Sequence, residues 1–466
     1  MRGALLAFSA ACAAMMACGS LTGLGSYEDC AGAACNVAAS VDASAMDVTT
    51  PEAEAGDTGR DALADTAAAP DVVDSGAPEV STGCQTSATC PSATPACSQG
   101  RCTGIATLVG GSSDDQCVIL LDGTLWCWGN NASGALGRGA VGGSYSQPAP
   151  VTVLPSGSTV AQAGTGFDYT CALTSNDHQV RCWGTGQAGS GNGSAVQVQL
   201  PADAVELSVG EANACARVTG NDVYCWGQDG YAQIGCGPND AGPGAVSPLA
   251  PQLLIDSSKD IAHLAVGLQA TCVVQSTSYN VYCFGSGQWG SLGGSSSTPL
   301  PCGQSMLTGF SVNSIGSIVS SDYATCATDI NNNIYCWGMN YAYFSAGVID
   351  PNNSAQTFST PYQLPLTFGP GAISIGWLHG CMLPGGNVYC WGASTHGETG
   401  IYSASASVPM RQVSGIGGPV LQMQAQRQFT CVLRMDGQVL CWGNNVGNLI
   451  GASIGTDTAT PTAIVW

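Results

Sequence analysis

The sequence predicts an all-β fold, a seven-bladed β-propeller, from three observations. First, a segment in which two cysteines flank a short apolar hairpin and Trp-Gly or Phe-Gly follows occurs seven times, beginning with CVILLDGTLWCWG (117–129). Second, the second cysteine of this segment recurs with a mean period of about 52 residues. Third, each period holds about four short strands separated by Gly, Pro, Asn and Asp, without helical periodicity. Repeats of this length and content are typical of propeller blades.

The four strands of a repeat can be assigned in order. An alternating strand that ends in glycine comes first, as in AQAG (161–164) and ISIG (373–376). The two strands of the cysteine hairpin follow, then a Gly-rich loop such as NNASGALG (130–137). A Pro-led strand such as TPYQL (360–364) ends the repeat. Each repeat therefore supplies one complete antiparallel blade.

The spacing of the paired cysteines predicts a cross-strand disulfide in every blade. The nine-residue interval in CMLPGGNVYC centres on Gly385-Gly386, which suits a two-residue primed turn, and the ten-residue intervals suit a three-residue turn with a glycine bulge at Gly123 or Gly437. Both turns leave the cysteines directly opposed, about 4.5 Å apart at Cα, which is within disulfide range. The predicted pairs are Cys117–Cys127, Cys171–Cys182, Cys215–Cys225, Cys272–Cys283, Cys326–Cys336, Cys381–Cys390 and Cys431–Cys441.

The aromatic residue after each second cysteine points to the opposite face of the strand, because side chains alternate along a strand. Neighbouring blades cover both faces, so we expect these residues to pack between blades rather than to form a ligand-stacking platform. They are Trp128, Trp183, Trp226, Phe284, Trp337, Trp391 and Trp442.

Metal binding is a weaker explanation of the cysteines. Zinc sites use closely spaced cysteine pairs or nearby histidines. The chain has four histidines and no C-x-x-C motif. Seven equivalent pairs also look structural rather than catalytic. We therefore expect no metal, no cofactor and no catalytic residue.

The run W-G-x-N-x-x-G-x-L-G (128–137), with the upstream cysteine, apolar stretch and D-G turn, resembles the repeat of the RCC1 (regulator of chromosome condensation) family, also loosely labelled BNR-type. The resemblance covers residues 103–466 and implies a seven-bladed propeller. The family's chromatin and Ran-exchange roles are not expected here. Residues 103–466 hold 19 acidic and seven basic side chains without a basic cluster, whereas nucleic-acid binding needs Lys and Arg at phosphates.

The N-terminus predicts export. One arginine precedes an apolar run from Ala4 to Ala17 that is too short to span a membrane, so residues 1–17 are expected to be a signal peptide. The run Met15-Met16-Ala17-Cys18 resembles a bacterial lipoprotein cleavage box, which implies a lipidated Cys18. Cleavage at Cys12 is an alternative, but Cys18 leaves 22 cysteines in even sets.

Three segments are predicted between the lipidation site and the propeller repeats. Residues 18–35 form a lipid-anchored segment in which Cys30 pairs with Cys35. Residues 36–83 have ten acidic residues, one basic residue and no aromatic residue, so we expect a disordered linker. Residues 84–102 form a small disulfide-rich module whose four cysteines allow three connectivities. The expected location is the outer membrane or cell surface, otherwise secreted or periplasmic, because disulfides persist in oxidising compartments.

These features predict a non-enzymatic, monomeric binding module for a protein or glycan partner, with membrane contact only through the lipid. The longest insertions are residues 236–246, 291–310 and 339–358. We expect Cys236 and Cys302 to join blades 3 and 4 by a disulfide. Aromatic residues make the last insertion a candidate interface. They are Tyr341, Tyr343, Phe344 and Phe358.

Two other functions compete with the binding module. The RCC1 resemblance also implies a secreted enzyme inhibitor that acts through one rim of the propeller. A BNR-type glycoside hydrolase is less favoured, because it needs two carboxylates with divided roles. The acidic residues here lie mostly in hairpin turns, where local hydrogen bonding is the usual role. Examples are Asp122, Asp177, Asp222 and Asp436.

Overall fold

The computed structural model describes residues 86–87, 90–91, 93–99, 101–186, 188–234, 247–294, 306–307, 315–339, 357–364, 371–403 and 408–466. Their strands form seven four-stranded antiparallel sheets and one two-stranded hairpin. The predicted all-β seven-bladed propeller is therefore confirmed. Helical structure in the described residues is limited to three 3₁₀ turns, at Ser257–Lys259, Gln288–Gly290 and Val446–Asn448.

The chain enters the propeller through the hairpin of β1 (Ala96–Ser98) and β2 (Arg101–Thr103). Blade 1 consists of β3 (Ile105–Leu108), β4 (Asp115–Leu120), β5 (Leu125–Asn130) and β6 (Ser144–Pro150). Blade 2 consists of β7 (Val160–Gly166), β8 (Tyr169–Thr174), β9 (Val180–Gly184) and β10 (Asn192–Gln197). Blade 3 consists of β11 (Ala204–Val209), β12 (Asn213–Val218), β13 (Val223–Gly227) and β14 (Ser247–Ile255).

Four further blades complete the ring. Blade 4 consists of β15 (Ile261–Val266), β16 (Ala270–Gln275), β17 (Val281–Gly285) and β18 (Met306–Leu307). Blade 5 consists of β19 (Ile315–Ser320), β20 (Ala324–Asp329), β21 (Ile334–Met339) and β22 (Thr357–Gln363). Blade 6 consists of β23 (Gly371–Ile375), β24 (His379–Pro384), β25 (Tyr389–Gly392) and β26 (Val408–Gln412). Blade 7 consists of β27 (Val420–Ala425), β28 (Phe429–Arg434), β29 (Val439–Asn444) and β30 (Asp457–Ala463).

Each cysteine hairpin carries the predicted disulfide. The two cysteines are direct register partners, and their Cα atoms lie 4.0–4.1 Å apart in all seven blades. The turns also have the predicted form. Gly385 and Gly386 both have positive φ, as a primed two-residue turn requires, and Gly123 has φ +79° at the bulge position.

The aromatic residues after the cysteines are buried between blades, with at most 3% of each side chain exposed. The predicted packing is therefore correct, and none of these rings is open to stack on a ligand. Sequence reasoning missed one bond: four of the indole N–H groups donate to a carbonyl oxygen in the preceding blade. They are Trp128 to Leu449 (3.0 Å), Trp183 to Ala135 (2.7 Å), Trp337 to Ser291 (3.1 Å) and Trp442 to Glu398 (2.9 Å).

The glycine after each of these aromatic residues has a steric cause. Gly129 has φ +111°, a left-handed conformation that glycine adopts without strain. A Cβ atom at Gly129 would also lie 2.9 Å from the Cα atom of Asp115 on the facing strand. The invariant Trp-Gly or Phe-Gly therefore combines an interblade contact with a close approach of two backbones.

The ring closes by packing of blade 7 on blade 1, since each sheet consists of four consecutive strands. The Leu108 amide donates to Gln422 Oε1 across this seam at 2.8 Å. The ring of the C-terminal Trp466 lies 6.0 Å from that of Trp126. Ala96, in the N-terminal hairpin, is fully buried in the same cluster.

The hairpin β1–β2 is thus packed on the closure seam. Cys102 on β2 forms a disulfide with Cys90, which precedes the hairpin, and Cys97 on β1 is also disulfide-bonded. A Cβ atom at Gly437, in the turn of blade 7, would lie 2.7 Å from the Ala93 carbonyl oxygen. The segment before the propeller therefore contacts both the first and the last blade.

Candidate functional site

The strand order gives the propeller two different faces. The cysteine hairpin turns lie at one end of the blades, which we call the hairpin face. The loops that leave the first strand of each blade lie at the other end, which we call the mouth face. These loops converge on the central axis, and together they form the mouth. They are residues 109–114, 167–168, 210–212, 267–269, 321–323, 376–378 and 426–428.

Below the mouth runs a central channel, lined by the innermost strands of blades 2 to 7 and by residues 110–112 of the blade 1 mouth loop. Small side chains line it, such as Gly164, Ala265 and Ser320. Side chains also bridge neighbouring blades here, since Ser208 Oγ accepts a hydrogen bond from the Val266 amide at 3.1 Å. The channel wall is therefore polar in places and closed by bonds between blades.

A buried carboxyl group lies at the centre of the mouth. Asp322 of blade 5 is 2% exposed, and Ser112 Oγ of blade 1 donates to its Oδ1 at 3.0 Å. Burial raises the pKa of Asp322 well above its usual value, and the neighbouring Glu211 carboxyl raises this pKa further by its charge and a hydrogen bond. The Ser112 bond and the charge of Arg427 act in the opposite direction. This environment favours a protonated Asp322.

Arg427 of blade 7 lies between two aromatic rings of the mouth. Its guanidinium carbon is 4.6 Å from the centre of the Phe167 ring and 5.2 Å from that of the Trp377 ring. Its Nη1 atom is 3.5 Å from Asp114 Oδ2. Cation–π contacts and an opposite charge therefore hold the arginine in place. Loops from blades 1, 2, 6 and 7 meet in this one cluster.

A recess opens beside this cluster, between blades 1 and 2. Asp115 is fully buried there, and no described residue donates a hydrogen bond to its Oδ2 atom. Burial raises the pKa of Asp115 to about 7, with further increases from the charges of Asp114 and Asp168, while a Ser113 bond lowers it. Its lining is Asp114, Asp115, Asn130, Ser133, Ala135, Phe167 and Asp168.

The predicted interface residues fall only partly within the described chain. Phe358 lies on β22, where its ring stacks on that of Tyr362 with centres 4.9 Å apart. The other three candidates and the remaining predicted cysteines lie outside the described residues. They are Tyr341, Tyr343, Phe344, Cys18, Cys30, Cys35, Cys84, Cys236 and Cys302.

Sequence reasoning did not identify the mouth residues. Glu211, Asp322 and Arg427 each lie in a short loop directly after the strand that begins a blade. In a propeller, a residue in the loop after the first strand of a blade lies near the axis, however far in sequence it is from the other residues there. The available signal was therefore topological rather than a motif.

The turn carboxylates behave as expected from sequence. Asp122 Oδ1 accepts a hydrogen bond from the Thr124 amide at 3.0 Å, two residues away. Asp177 pairs with Arg181 at 2.7 Å, and Asp436 pairs with Arg434 in its own turn. Asp222 Oδ1 instead accepts from the Ser257 amide at 2.6 Å, at the start of the connection to the next blade. These acids stabilise loops of the hairpin face.

In the described residues, metal-binding clusters and membrane-spanning helices are both absent. No group of three or more His, Cys, Asp and Glu side chains there has an arrangement that could hold a metal ion. Within the same residues, no helix has the length and apolarity to cross a bilayer.

These features define a seven-bladed β-propeller, and comparisons with known proteins show a similarity to proteins with RCC1 repeats. Residues 122–173 match the model of the "Regulator of chromosome condensation (RCC1) repeat". The chain is 24% identical over 369 residues to the ultraviolet-B receptor UVR8 of Arabidopsis thaliana, covering 74% of this chain and 79% of that protein. It is 27% identical over 341 residues to mouse E3 ubiquitin-protein ligase HERC2, covering 68% of this chain and only 7% of HERC2.

Solved structures are similar in fold. Yeast RCC1 (Prp20), in a complex with Kap60, has a TM-score of 0.62 at 19% identity, covering 78% of this chain and 85% of that one. Human WBSCR16 has a TM-score of 0.63 at 19% identity, covering 74% and 94%. The resemblance to the RCC1 repeat inferred from sequence is confirmed, and these structural similarities concern the fold alone.

Proposed function

We propose that this chain is a non-enzymatic binding module, displayed outside the cytoplasm by a lipid anchor, and that a protein partner docks on its mouth face. One observation carries the proposal: loops from separate blades bring charged and aromatic side chains together at the axis. Arg427 lies there between Phe167 and Trp377, beside Asp114. Aromatic and arginine side chains are the groups that most often dominate binding energy at protein interfaces.

The connection between the third and fourth strands of each blade also leaves from the mouth face. The three long insertions at 236–246, 291–310 and 339–358 overlap these connections, which run from β13 to β14, from β17 to β18 and from β21 to β22. The described strands on either side of each insertion therefore have their connected ends at the mouth face. Loops held by a rigid scaffold are the usual carriers of binding function.

The similarity to RCC1-like propellers supports a protein as the partner. Yeast RCC1 is described in complex with Kap60, and Prp20p is described with binding properties to Gsp1p and histones. Here residues 103–466 have 19 acidic and seven basic side chains. Charge complementarity therefore favours a partner with a basic contact surface.

The geometry of the central acids supports a role in binding rather than in hydrolysis. A glycosidase holds its two carboxyl groups roughly 5 to 9.5 Å apart, across the bond to be cleaved. Glu211 and Asp322 instead hydrogen-bond to each other, and Asp322 is nearly inaccessible. Their contact leaves no space for a sugar between them.

Surface display is proposed from the N-terminal sequence and from the disulfides. Lipidation of Cys18 would anchor the chain, and the acidic residues 36–83 would extend it away from the bilayer. The seven hairpin disulfides suit an oxidising compartment.

The test compares substitutions on the two faces. The full chain and its variants are used for affinity capture from the native envelope, with recovered partners quantified by mass spectrometry. We expect Phe167→Ala and Trp377→Ala to lower recovery of the partner at least tenfold, because both remove aromatic contact area at the mouth. Leu121→Ala and Met435→Ala are matched controls, since these exposed apolar residues lie in hairpin-face turns.

Loss of the partner with the controls but not with the mouth variants would contradict the proposed face. Recovery that no variant changes would contradict it as well. The N-terminal peptide of the same preparation should begin at a lipidated Cys18, and an intact residue 1 would refute the anchor.

A further inference from the structure

The recess between blades 1 and 2 has more negative groups than its surroundings neutralise. Asp114, Asp115 and Asp168 line it, and Arg427 is the cation placed next to one of them, 3.5 Å from Asp114. Asp115 is fully buried, and its Oδ2 atom has no hydrogen-bond donor among the described residues. A buried acceptor left unpaired is unfavourable, because it has lost its hydrogen bonds to water. An incoming donor that carries positive charge would satisfy this atom.

We propose that the recess binds a primary ammonium group, the tip of a lysine side chain supplied by the partner protein. The inference deepens the proposed function and rests on it. The ammonium would donate hydrogen bonds to Asp115 Oδ2 and to the carboxylates of Asp114 and Asp168. Phe167, which lines the recess and is 39% exposed, would cover the lysine methylene groups.

The size of the recess favours lysine over arginine. Its base has room for about one group of the size of a water molecule, which an ammonium fills and a planar guanidinium exceeds. A metal ion fits less well, because the described acids do not form a metal-binding arrangement. The cluster already holds one cation in Arg427, over the Phe167 ring at 4.6 Å. The site thus contains one bound cation, the Arg427 guanidinium, and one further acceptor, Asp115 Oδ2, that a second cation could contact.

Binding should depend on pH through the Asp115 carboxyl group, whose Oδ2 atom has no hydrogen-bond partner among the described residues. Asp115 faces Asp114 and Asp168, and Ser113 on its own strand segment, with Arg427 beyond Asp114. The like charges of the two aspartates and burial together keep a proton on Asp115 up to about pH 7. An ammonium must displace this proton, so affinity should increase as pH rises from 5.5 to 8.

The experiment uses the purified full chain and two small probes, Nα-acetyl-lysine methylamide and its norleucine analogue, in a ligand-observed NMR titration. The norleucine probe keeps the methylene chain and lacks the ammonium. We expect the lysine probe to bind at least tenfold more tightly, with an affinity about tenfold higher at pH 8 than at pH 5.5. Asp115→Asn and Asp168→Asn should each weaken it at least tenfold.

Asp203→Asn is the matched control, because it removes one exposed carboxylate at the hairpin-face end of blade 3, away from the recess. We expect this variant to change the affinity less than twofold. Asn tolerates the left-handed backbone at position 168, where φ is +66°, so the Asp168 variant should fold normally. Thermal unfolding of each variant confirms that it is folded.

Equal binding of the two probes, or binding unchanged by both Asp115→Asn and Asp168→Asn, would overturn the inference. Binding of Ca²⁺ alone, without the lysine probe, would overturn it too. Partner capture separates the two proposals. If capture depends on Phe167 and Trp377 but not on Asp115 or Asp168, the mouth binds a protein without a lysine in the recess.

Discussion

The two faces of this propeller use the same side chain, aspartate, in opposite ways. On the hairpin face, Asp177 is 38% exposed and accepts bonds from Arg181 and Thr174, and its pKa is lowered to about 2. Next to the mouth, Asp115 is fully buried, one of its oxygens has no partner among the described residues, and its pKa is raised to about 7. One carboxylate is stabilised as an anion, and the other is destabilised as one.

The difference indicates where the fold retains unfavourable interactions. The aspartates in the turns stabilise the fold, because their hydrogen bonds fix the backbone of the hairpins. Asp115 and Asp322 do not, because burial opposes their ionisation and the nearby acids add repulsion. Strongly perturbed carboxyl groups in a concave site are typical of functional positions. The acidic side chains of the hairpin face therefore stabilise the fold, whereas the buried acidic side chains near the mouth are unfavourable as anions.

The largest effect is expected from Asp115→Asn, which should stabilise the protein above neutral pH. A folded-state pKa of about 7 against the ordinary value of 3.8 means that stability falls as pH rises between these two values. Asparagine carries no such cost, so the variant should gain up to about 4 kcal/mol at pH 8 and almost nothing at pH 4. Urea unfolding with disulfides intact, at several pH values, measures the gain.

Asp203→Asn is again the control, since it makes the same chemical change at an exposed position of the hairpin face. A destabilised Asp115→Asn at pH 8 would show that the carboxylate is paired in the folded protein. Combined with the amine titration, the variant should be more stable and yet bind less, which is the trade-off expected of a binding residue.

The second effect concerns the disulfides inside the blades, which join the second and third strands. Replacing Cys272 and Cys283 of blade 4 by alanine opens a loop with a sequence separation of 11, which should cost about 3 kcal/mol. Blade 4 contributes no charged residue to the mouth, because its loop is Gly267-Leu268-Gln269. Native-state hydrogen exchange should show the loss in β16 and β17. Partner recovery at temperatures below unfolding should remain within twofold of that of the unmodified chain.

A wild-type chain, exchanged in parallel, provides the reference for protection at each amide. If the double variant also lost protection in the loops 109–114 and 426–428 to the same extent, the two faces would not be energetically separate. Such a result would mean that the propeller unfolds as one cooperative unit, without a difference in stability between the two faces.

The fold was predictable from sequence because its signals are local and repeated seven times. Opposed cysteines, positive-φ glycines and the Trp-Gly pair each depend on residues within one hairpin, so spacing alone determines them. The small hairpin at Ala96 illustrates the limit. Its burial in one cluster with Phe429 joins residues more than 300 positions apart, and no pattern in either segment reveals that packing.

The candidate site was not predictable for the same reason. Ser112 and Asp322 are 210 positions apart in sequence, and each lies in a short loop without a motif. Their meeting depends on the closing of the ring, which places every first loop at the axis. Sequence reasoning searched the long insertions for an interface and overlooked these short loops. They are too short to show a distinctive composition, but they converge in space.

The smallest effect is expected from Asp177→Asn, which should lower the free energy of unfolding, whereas Asp115→Asn should raise it. The pKa of Asp177 is lowered to about 2, chiefly by the Arg181 bond, so its stabilising contribution is present above about pH 4 and is lost as pH falls towards 2. Water screens this partly exposed pair, so the loss at pH 7 should be only about 0.5 kcal/mol. Asp122→Asn provides a turn control that lacks an arginine partner. Urea unfolding at pH 7 and pH 2.5 measures both variants: a stabilising Asp177→Asn at pH 7 would mean that the charges of both faces oppose folding, and the contrast between the faces would fail.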